Sequence, residues 1–294
     1  MSFLSKISAK VWTSYIFEIN NNNINIDEII NNEKVIKINA PQGYLMTADC
    51  SFINEENILI ESICKKTFLG CIFLYNVSNK CYHKLKLDEN FHFSFPLQYS
   101  IKKKNLITFQ SNIDNGLIVY QYQKLVNNNN KIELDTLKRI NVINNINEKL
   151  IDPVLLSIED KVFLFSSTQN KPNVSNCYGE LEFKEDNIYL NKKNKRFKSI
   201  LGRMAGKFIY EDSKIIANTQ LNVNSYGDGI LQYIINENRT TEINKKIIYK
   251  DGRYYGPHTL NFSPSRNYVL FDICKKSYSP KHLFYKIRQF INMK

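Results

Sequence analysis

Ten glycines in 294 residues are few for a chain whose apolar segments are short and separated by many turns. No CxxC pair and no metal-ligand spacing occurs among the six cysteines at 50, 64, 71, 81, 177 and 274, which argues against a structural zinc site. Several of them sit inside apolar segments, where a free thiol behaves as a small hydrophobe. The N-terminus lacks an apolar stretch long enough for a secretory signal, and no segment approaches the length that crosses a bilayer. The chain is therefore expected to be cytoplasmic with reduced thiols, and triplets such as Asn76-Val77-Ser78 then carry no glycan. Zinc-finger spacing and RNA-binding signatures are missing too, so the formal charge of +12 does not point to a nucleic-acid partner. Sustained helical periodicity is absent before the last fifteen residues or so.

What is present suits strands. There are 18 Tyr and 18 Phe, residue types that favour a pleated, half-buried surface. Asparagine stands in for glycine at turns, as in Asn20 to Asn23 and Asn127 to Asn130, because it tolerates left-handed backbone and bonds its own turn. The lysines are scattered apart from Lys102 to Lys104, Lys192 to Lys198 and the C-terminus; the first two clusters read as solvated loop faces.

A short unit recurs. It opens with a polar residue in a small or apolar setting, followed by a turn and an apolar strand. The openings are Ala48-Asp49-Cys50, Phe93-Ser94-Phe95-Pro96, Ile151-Asp152-Pro153, Gly202-Arg203-Met204-Ala205-Gly206 and Pro257-His258-Thr259-Leu260. Spacings of 45, 58, 51 and 55 positions separate Asp49, Ser94, Asp152, Arg203 and His258. The strands Ile58 to Glu61, Leu106 to Phe109, Val162 to Phe165, Ile215 to Ala217 and Tyr268 to Phe271 begin nine to twelve residues after their opening residue. Repeats of this length, each several strands long, predict an all-β, five-bladed β-propeller over residues 1–278. A single antiparallel blade cannot bury both faces, so blades stack around an axis. The segment Lys10 to Glu18 is placed to close the ring by pairing with the last blade, which removes two exposed edges.

Inner strands of a propeller end at one mouth, so the five opening residues should meet. Glu61 and Gln110, at the ends of the second strands of the first two units, join them as supporting members. Singly, each residue has an ordinary structural explanation: Asp152-Pro153 is a turn signal, and His258 suits an interior, hydrogen-bonded imidazole. Together they supply carboxylates, a cation, an imidazole and amides, a set able to grip a polyhydroxylated or phosphorylated ligand.

In order, Thr47-Ala48-Asp49, Ile60-Glu61, His92-Phe93-Ser94-Phe95-Pro96, Ile151-Asp152-Pro153, Arg203-Met204-Ala205-Gly206, Gln220 to Tyr226-Gly227 and His258-Thr259-Leu260 resemble one family. It is the propeller at the N-terminus of plant glucosamine inositolphosphorylceramide transferases, which in bacteria also accompanies sugar formyltransferase-like domains. The resemblance runs from about Trp12 to about Lys276. That family is similar in turn to the five-bladed glycoside hydrolases of family 43. Glu61, His92, Ser94, Gln110, Arg203, Gln220 and Tyr226 are expected to bind substrate, and the resemblance implies that Asp49 is the base and that Asp152 tunes the acid. It also shows a departure, since Arg203 stands where those hydrolases carry their acid and cannot donate a proton at ordinary pH. Arg203 suits a phosphate grip, and His258 and His92 are reserve bases.

Three functions follow. The first is a glycosyltransferase of surface-glycan assembly, using a phosphate-linked sugar donor that needs no acid. The second is a glycoside hydrolase, which needs a pair of carboxyl groups. The third is a propeller that binds a glycan or a partner without catalysis. No cofactor is indicated; a divalent cation among Asp49, Glu61 and Asp152 is the one metal arrangement the residue types allow. Residues 279–294 read as a basic amphipathic helix, capped by Ser279, with Leu283, Phe284, Ile287, Phe290 and Ile291 on one face and Lys281, Lys286, Arg288 and Lys294 around it. Such a helix either docks on the propeller or lies on an anionic membrane, at its inner face for a cytoplasmic protein.

Overall fold

A computed structural model describes residues 9–19, 29, 34–128, 131–143, 146–184, 186–193, 196–211, 214–222, 226–236, 240–252 and 254–292. It is all-β apart from the C-terminal helix Pro280–Asn292 and an isolated helical position at Ile29. The expected asparagine turn at 20–23 lies outside the described residues, as do Asn129, Asn130 and Lys294; so do the side chains of Arg288, Phe290 and Ile291.

The first sheet is an up-and-down antiparallel meander of Tyr44–Phe52, Asn57–Cys64, Gly70–Asn76 and Tyr82–Lys84. A nine-stranded sheet follows, made of two four-stranded meanders and the short strand Ile200–Leu201, which pairs with Lys171–Lys184. Phe93–Ile101, Lys104–Ser111, Ile118–Tyr122 and Lys138–Ile143 form one; Leu150–Ile158, Lys161–Thr168, Lys171–Lys184 and Asn187–Asn191 form the other. Their outer strands join in parallel through Asn141↔Asn187, Val142↔Ile188 and Ile143↔Tyr189. The next sheet is Ile209–Glu211, Lys214–Leu221, Gly229–Ile235 and Thr240–Ile247. The last sheet unites both ends of the chain, because Ala9–Glu18 pairs antiparallel with Tyr268–Ser277 from Ala9↔Ser277 to Glu18↔Tyr268.

Second strands such as Asn57–Cys64 are buried along almost their whole length, which explains their unbroken apolar runs: each is covered on both faces by its neighbours. The core accordingly lies between sheets. Leu59, Ile72 and Leu74 pack with Phe93, Ile107 and Phe109; Phe165 and Leu164 pack with Ile200 and Ala217; Ile230 packs with Val269 and Phe271; and Ile16 and Leu270 pack with Ile58 and Ile60.

Hydrogen bonds near the openings run in the same cyclic order. Ser51 Oγ donates to the Pro96 carbonyl at 2.6 Å, and Leu155 N–H donates to Tyr99 Oη at 3.0 Å. Ser175 Oγ donates to the Gly202 carbonyl (2.8 Å), and Leu260 N–H to the Ala205 carbonyl (2.7 Å). Asn261 Nδ2 then returns to the first sheet at the Cys50 carbonyl, 2.8 Å away.

Three of the openings share a backbone device. Register shifts between Ala48 and Ser51, Ser94 and Leu97, and Ile151 and Val154 mark bulges, and Asp49, Phe95 and Asp152 each have φ 50°. The second equivalent position is thus Phe95, one residue beyond the expected Ser94, and its ring goes into the core. Left-handed backbone costs a non-glycine residue roughly 1–2 kcal/mol, least for Asp, and a bulge re-aims the side chain it carries. The fourth and fifth openings do not share it: among described non-glycine residues, neither Arg203 nor His258 has positive φ.

Candidate active site

The openings converge on a cavity of about 190 Å³ lined by Asp49, Glu61, His92, Ser94, Gln110, Asp152, Arg203, Tyr226 and His258 together with Trp12 and Tyr285. Gln220, the remaining residue expected there, lies behind the wall and donates from Nε2 to Asp152 Oδ2 at 3.2 Å.

His258 is the centre of one half. It is 3% exposed, with Nε2 3.0 Å from Asp49 Oδ1 and Nδ1 2.7 Å from Asp272 Oδ1. Burial would push its pKa down, but Asp272 and Asp49 overcome that and raise it to about 10, so the ring is an imidazolium. Trp12 lies over it with ring centroids 3.9 Å apart, a cation–π contact. Gly227 permits this approach: at φ +76° it has no side chain, and a Cβ there would sit 2.5 Å from the Trp12 ring.

Asp272 organises the group. It is fully buried and accepts from the N–H groups of His258 (3.1 Å), Thr259 (3.0 Å) and Asp49 (3.2 Å).

Asp49 and Glu61 are driven apart in acidity. Burial works to raise Asp49, but the His258 cation and a hydrogen bond from Glu61 hold it below the ordinary carboxylate range. Burial and the Asp49 charge raise Glu61 well above that range, so Glu61 bears the proton. His92 accepts the Gly70 N–H at Nδ1 (2.8 Å), which puts its own proton on Nε2, 3.6 Å from Glu61 Oε1. Burial lowers the His92 pKa and keeps the ring neutral. At Gly70 a Cβ would stand 2.7 Å from Glu61 Oε1 and from His92 Cε1, so only glycine leaves room for both.

On the other side Arg203 Nε donates to Asp152 Oδ2 at 2.8 Å, and its guanidinium lies 5.0 Å from the Tyr226 ring centre. Gln110 Oε1 accepts the Asp152 N–H at 3.0 Å. Burial raises the Asp152 pKa, and Arg203 opposes that. Ser94 adds a hydroxyl to the lining.

The site therefore holds three carboxylates, Asp49, Asp152 and Asp272, against two cations, Arg203 and His258. Asp49, His258 and Asp272 place potential ligand atoms within 4.8 Å of one another, but both imidazole nitrogens face carboxylates and an imidazolium has no lone pair for a metal. Of the carboxyls considered for a hard cation, Glu61 carries a proton and Asp152 is neutralised by Arg203.

Sequence reasoning missed Asp272, Tyr285 and the contact role of Trp12. A lone carboxylate within Tyr268-Val269-Leu270-Phe271-Asp272-Ile273-Cys274 was the available signal for the first.

No protein-family model matches the chain, and no curated protein matches it. Among solved structures it is similar to an α-L-arabinofuranosidase from Podospora anserina in complex with cellotriose. That match has TM-score 0.48 and 10% identity, and covers 92% of this chain and 98% of that one. A likeness of that size assigns neither fold nor activity.

Proposed function

We propose that the chain is a five-bladed β-propeller whose mouth binds a neutral glycan and cleaves a glycosidic bond. The observation that carries the reading is the Asp49–Glu61 pair, two carboxyls whose surroundings drive their acidities in opposite directions, in an aromatic-walled cavity. Glycosidic hydrolysis needs those two states at once: a proton for the leaving oxygen, and a negative charge to activate water or meet the developing cation. Trp12, Tyr226 and Tyr285 offer apolar faces to a sugar ring, and 190 Å³ is the volume of about six waters, the scale of one sugar unit. In this reading Asp49 is the base, Glu61 the proton donor, and Arg203 holds Asp152.

A phosphate-linked donor fits less well. The arginine expected to grip it is neutralised by Asp152, and carboxylates outnumber cations around it.

One observation favours binding without catalysis as the second reading. Asp49 and Glu61 act directly on each other's acidity, whereas the carboxyls of hydrolases stand roughly 5–9.5 Å apart. A sugar has to part them before they act on one bond.

The test is phenolate release from a panel of synthetic aryl glycosides, beside thermal shifts with neutral oligosaccharides and nucleotide sugars. We expect release by the native chain and a loss of at least about a thousandfold in Asp49→Asn. A shift with oligosaccharides but no release from any glycoside moves the reading to a binding module; a shift with nucleotide sugars alone overturns it in favour of transfer. A ligand at a hundred times its dissociation constant adds about 2.7 kcal/mol, well within detection.

A further inference from the structure

Among the described side chains of the C-terminal helix, Tyr285 is buried at the mouth while Phe284 and Ile287 turn outward. Tyr285 packs on Phe68, ring centroids 5.9 Å apart, and lines the cavity. Phe284 meets the same Phe68 at 5.6 Å yet remains 53% exposed, and Ile287 is 57% exposed. A helix that merely covers a core puts its largest apolar residues inward. This one does not.

Lysines surround the pair. Lys281 is exposed on the same helix, and Lys65 and Lys66 are exposed in the loop that leads to Phe68. Lys10, Lys276 and Lys286 lie close enough for the last two to depress the first, with Asp228 beside them.

We propose that this rim is a docking surface for an anionic lipid bilayer. Phe284 and Ile287 enter the boundary between headgroups and acyl chains, and Lys65, Lys66 and Lys281 lie at the level of the lipid phosphates. Exposed aromatic and aliphatic side chains flanked by lysine are the composition of interfacial helices, whose binding combines buried apolar area with attraction to anionic lipid. Exposed lysines on the same rim as these apolar side chains favour an anionic lipid as the occupant. Because Tyr285 belongs to both the helix and the cavity wall, docking faces the mouth toward the membrane. The proposal does not depend on the reaction assigned to the site, and its test measures no activity.

The test is sedimentation of the full chain with phosphatidylcholine vesicles, with and without one third phosphatidylglycerol. We expect binding to the anionic vesicles alone. Partitioning should fall about tenfold in Phe284→Ser/Ile287→Ser. It should fall roughly a hundredfold in Lys65→Gln/Lys66→Gln/Lys281→Gln, at about fivefold per lysine. The lysines are exposed, so the melting temperature of the lysine variant should match the native one. The Phe284/Ile287 variant gives up the Phe284–Phe68 contact and should still melt cooperatively within a few degrees of the native chain. No binding to anionic vesicles overturns the proposal, as does equal binding to neutral ones or indifference to both variants. Release by inorganic phosphate at constant ionic strength assigns the lysines to a free phosphate site and overturns it as well. Loss of self-association in the Phe284/Ile287 variant, without vesicle binding, replaces lipid with a second copy of the chain.

Discussion

Replacing Asp272 by Asn keeps the shape of the side chain and removes the charge that makes His258 a cation. In the native site His258 titrates at about 10 against an ordinary 6.5, with Asp272 the larger of the two raising charges. At 1.36 kcal/mol per tenfold change in proton affinity, that difference corresponds to roughly 5 kcal/mol of folding stability. The sign is that of a raised pKa: the contribution is complete below about pH 6.5 and is lost as pH rises toward 10. Native stability measured by denaturant unfolding should therefore decline across that window, with a slope approaching 1.36 kcal/mol per pH unit. In Asp272→Asn the decline should still begin near pH 6.5 but should end at a lower pH than in the native chain. Stability at pH 6 should drop by about 3–5 kcal/mol, the usual cost of removing one partner of a buried pair. Two other groups bear on the curve. Glu61, also raised, adds a decline at lower pH, and half-buried Lys207, lowered to about 8, acts in the opposite sense from pH 8 upward. A Glu61→Gln/Lys207→Met background removes both. Proton NMR of the His258 ring gives the direct reading, and a midpoint near 6.5 in the native chain would refute the reasoning.

Trp12 is the single tryptophan, so its emission reports on the site. Gly227→Ala should displace it, shift emission to the red and cost about 1–3 kcal/mol, because the new methyl meets the indole at 2.5 Å on strained backbone; unchanged emission and melting would contradict the described contact. Lys207→Met should raise the melting temperature at pH 7, where the partly desolvated amine is charged at a cost, and make little difference near pH 10. Equal effects at both pH values would show that packing, not charge, decides.

The recurrence of a polar residue inside an apolar setting made Asp49, Asp152, Arg203 and His258 visible before any coordinates, because burial of a polar group calls for a reason. The bulge could not be read: Ser94-Phe95-Pro96 offers two candidates for one position, and only the strand register shows that Phe95 takes the left-handed backbone. Asp272 and Tyr285 stayed hidden because what they do depends on contacts across the fold, as in the bond from Asp49 N–H to Asp272 and the packing of Tyr285 on Phe68, each more than two hundred residues away.

Spacing, strand pattern and residue type, all local properties of the chain, determined an all-β repeat, a set of polar openings and a basic amphipathic tail. Protonation was decided in three dimensions. Whether Glu61 or Asp49 carries the proton, whether His258 is a cation, and whether Arg203 is available to a ligand depend on burial and on charges brought within about 3 Å by ring closure. Coulomb energy and desolvation act through space, and no stretch of sequence contains those distances.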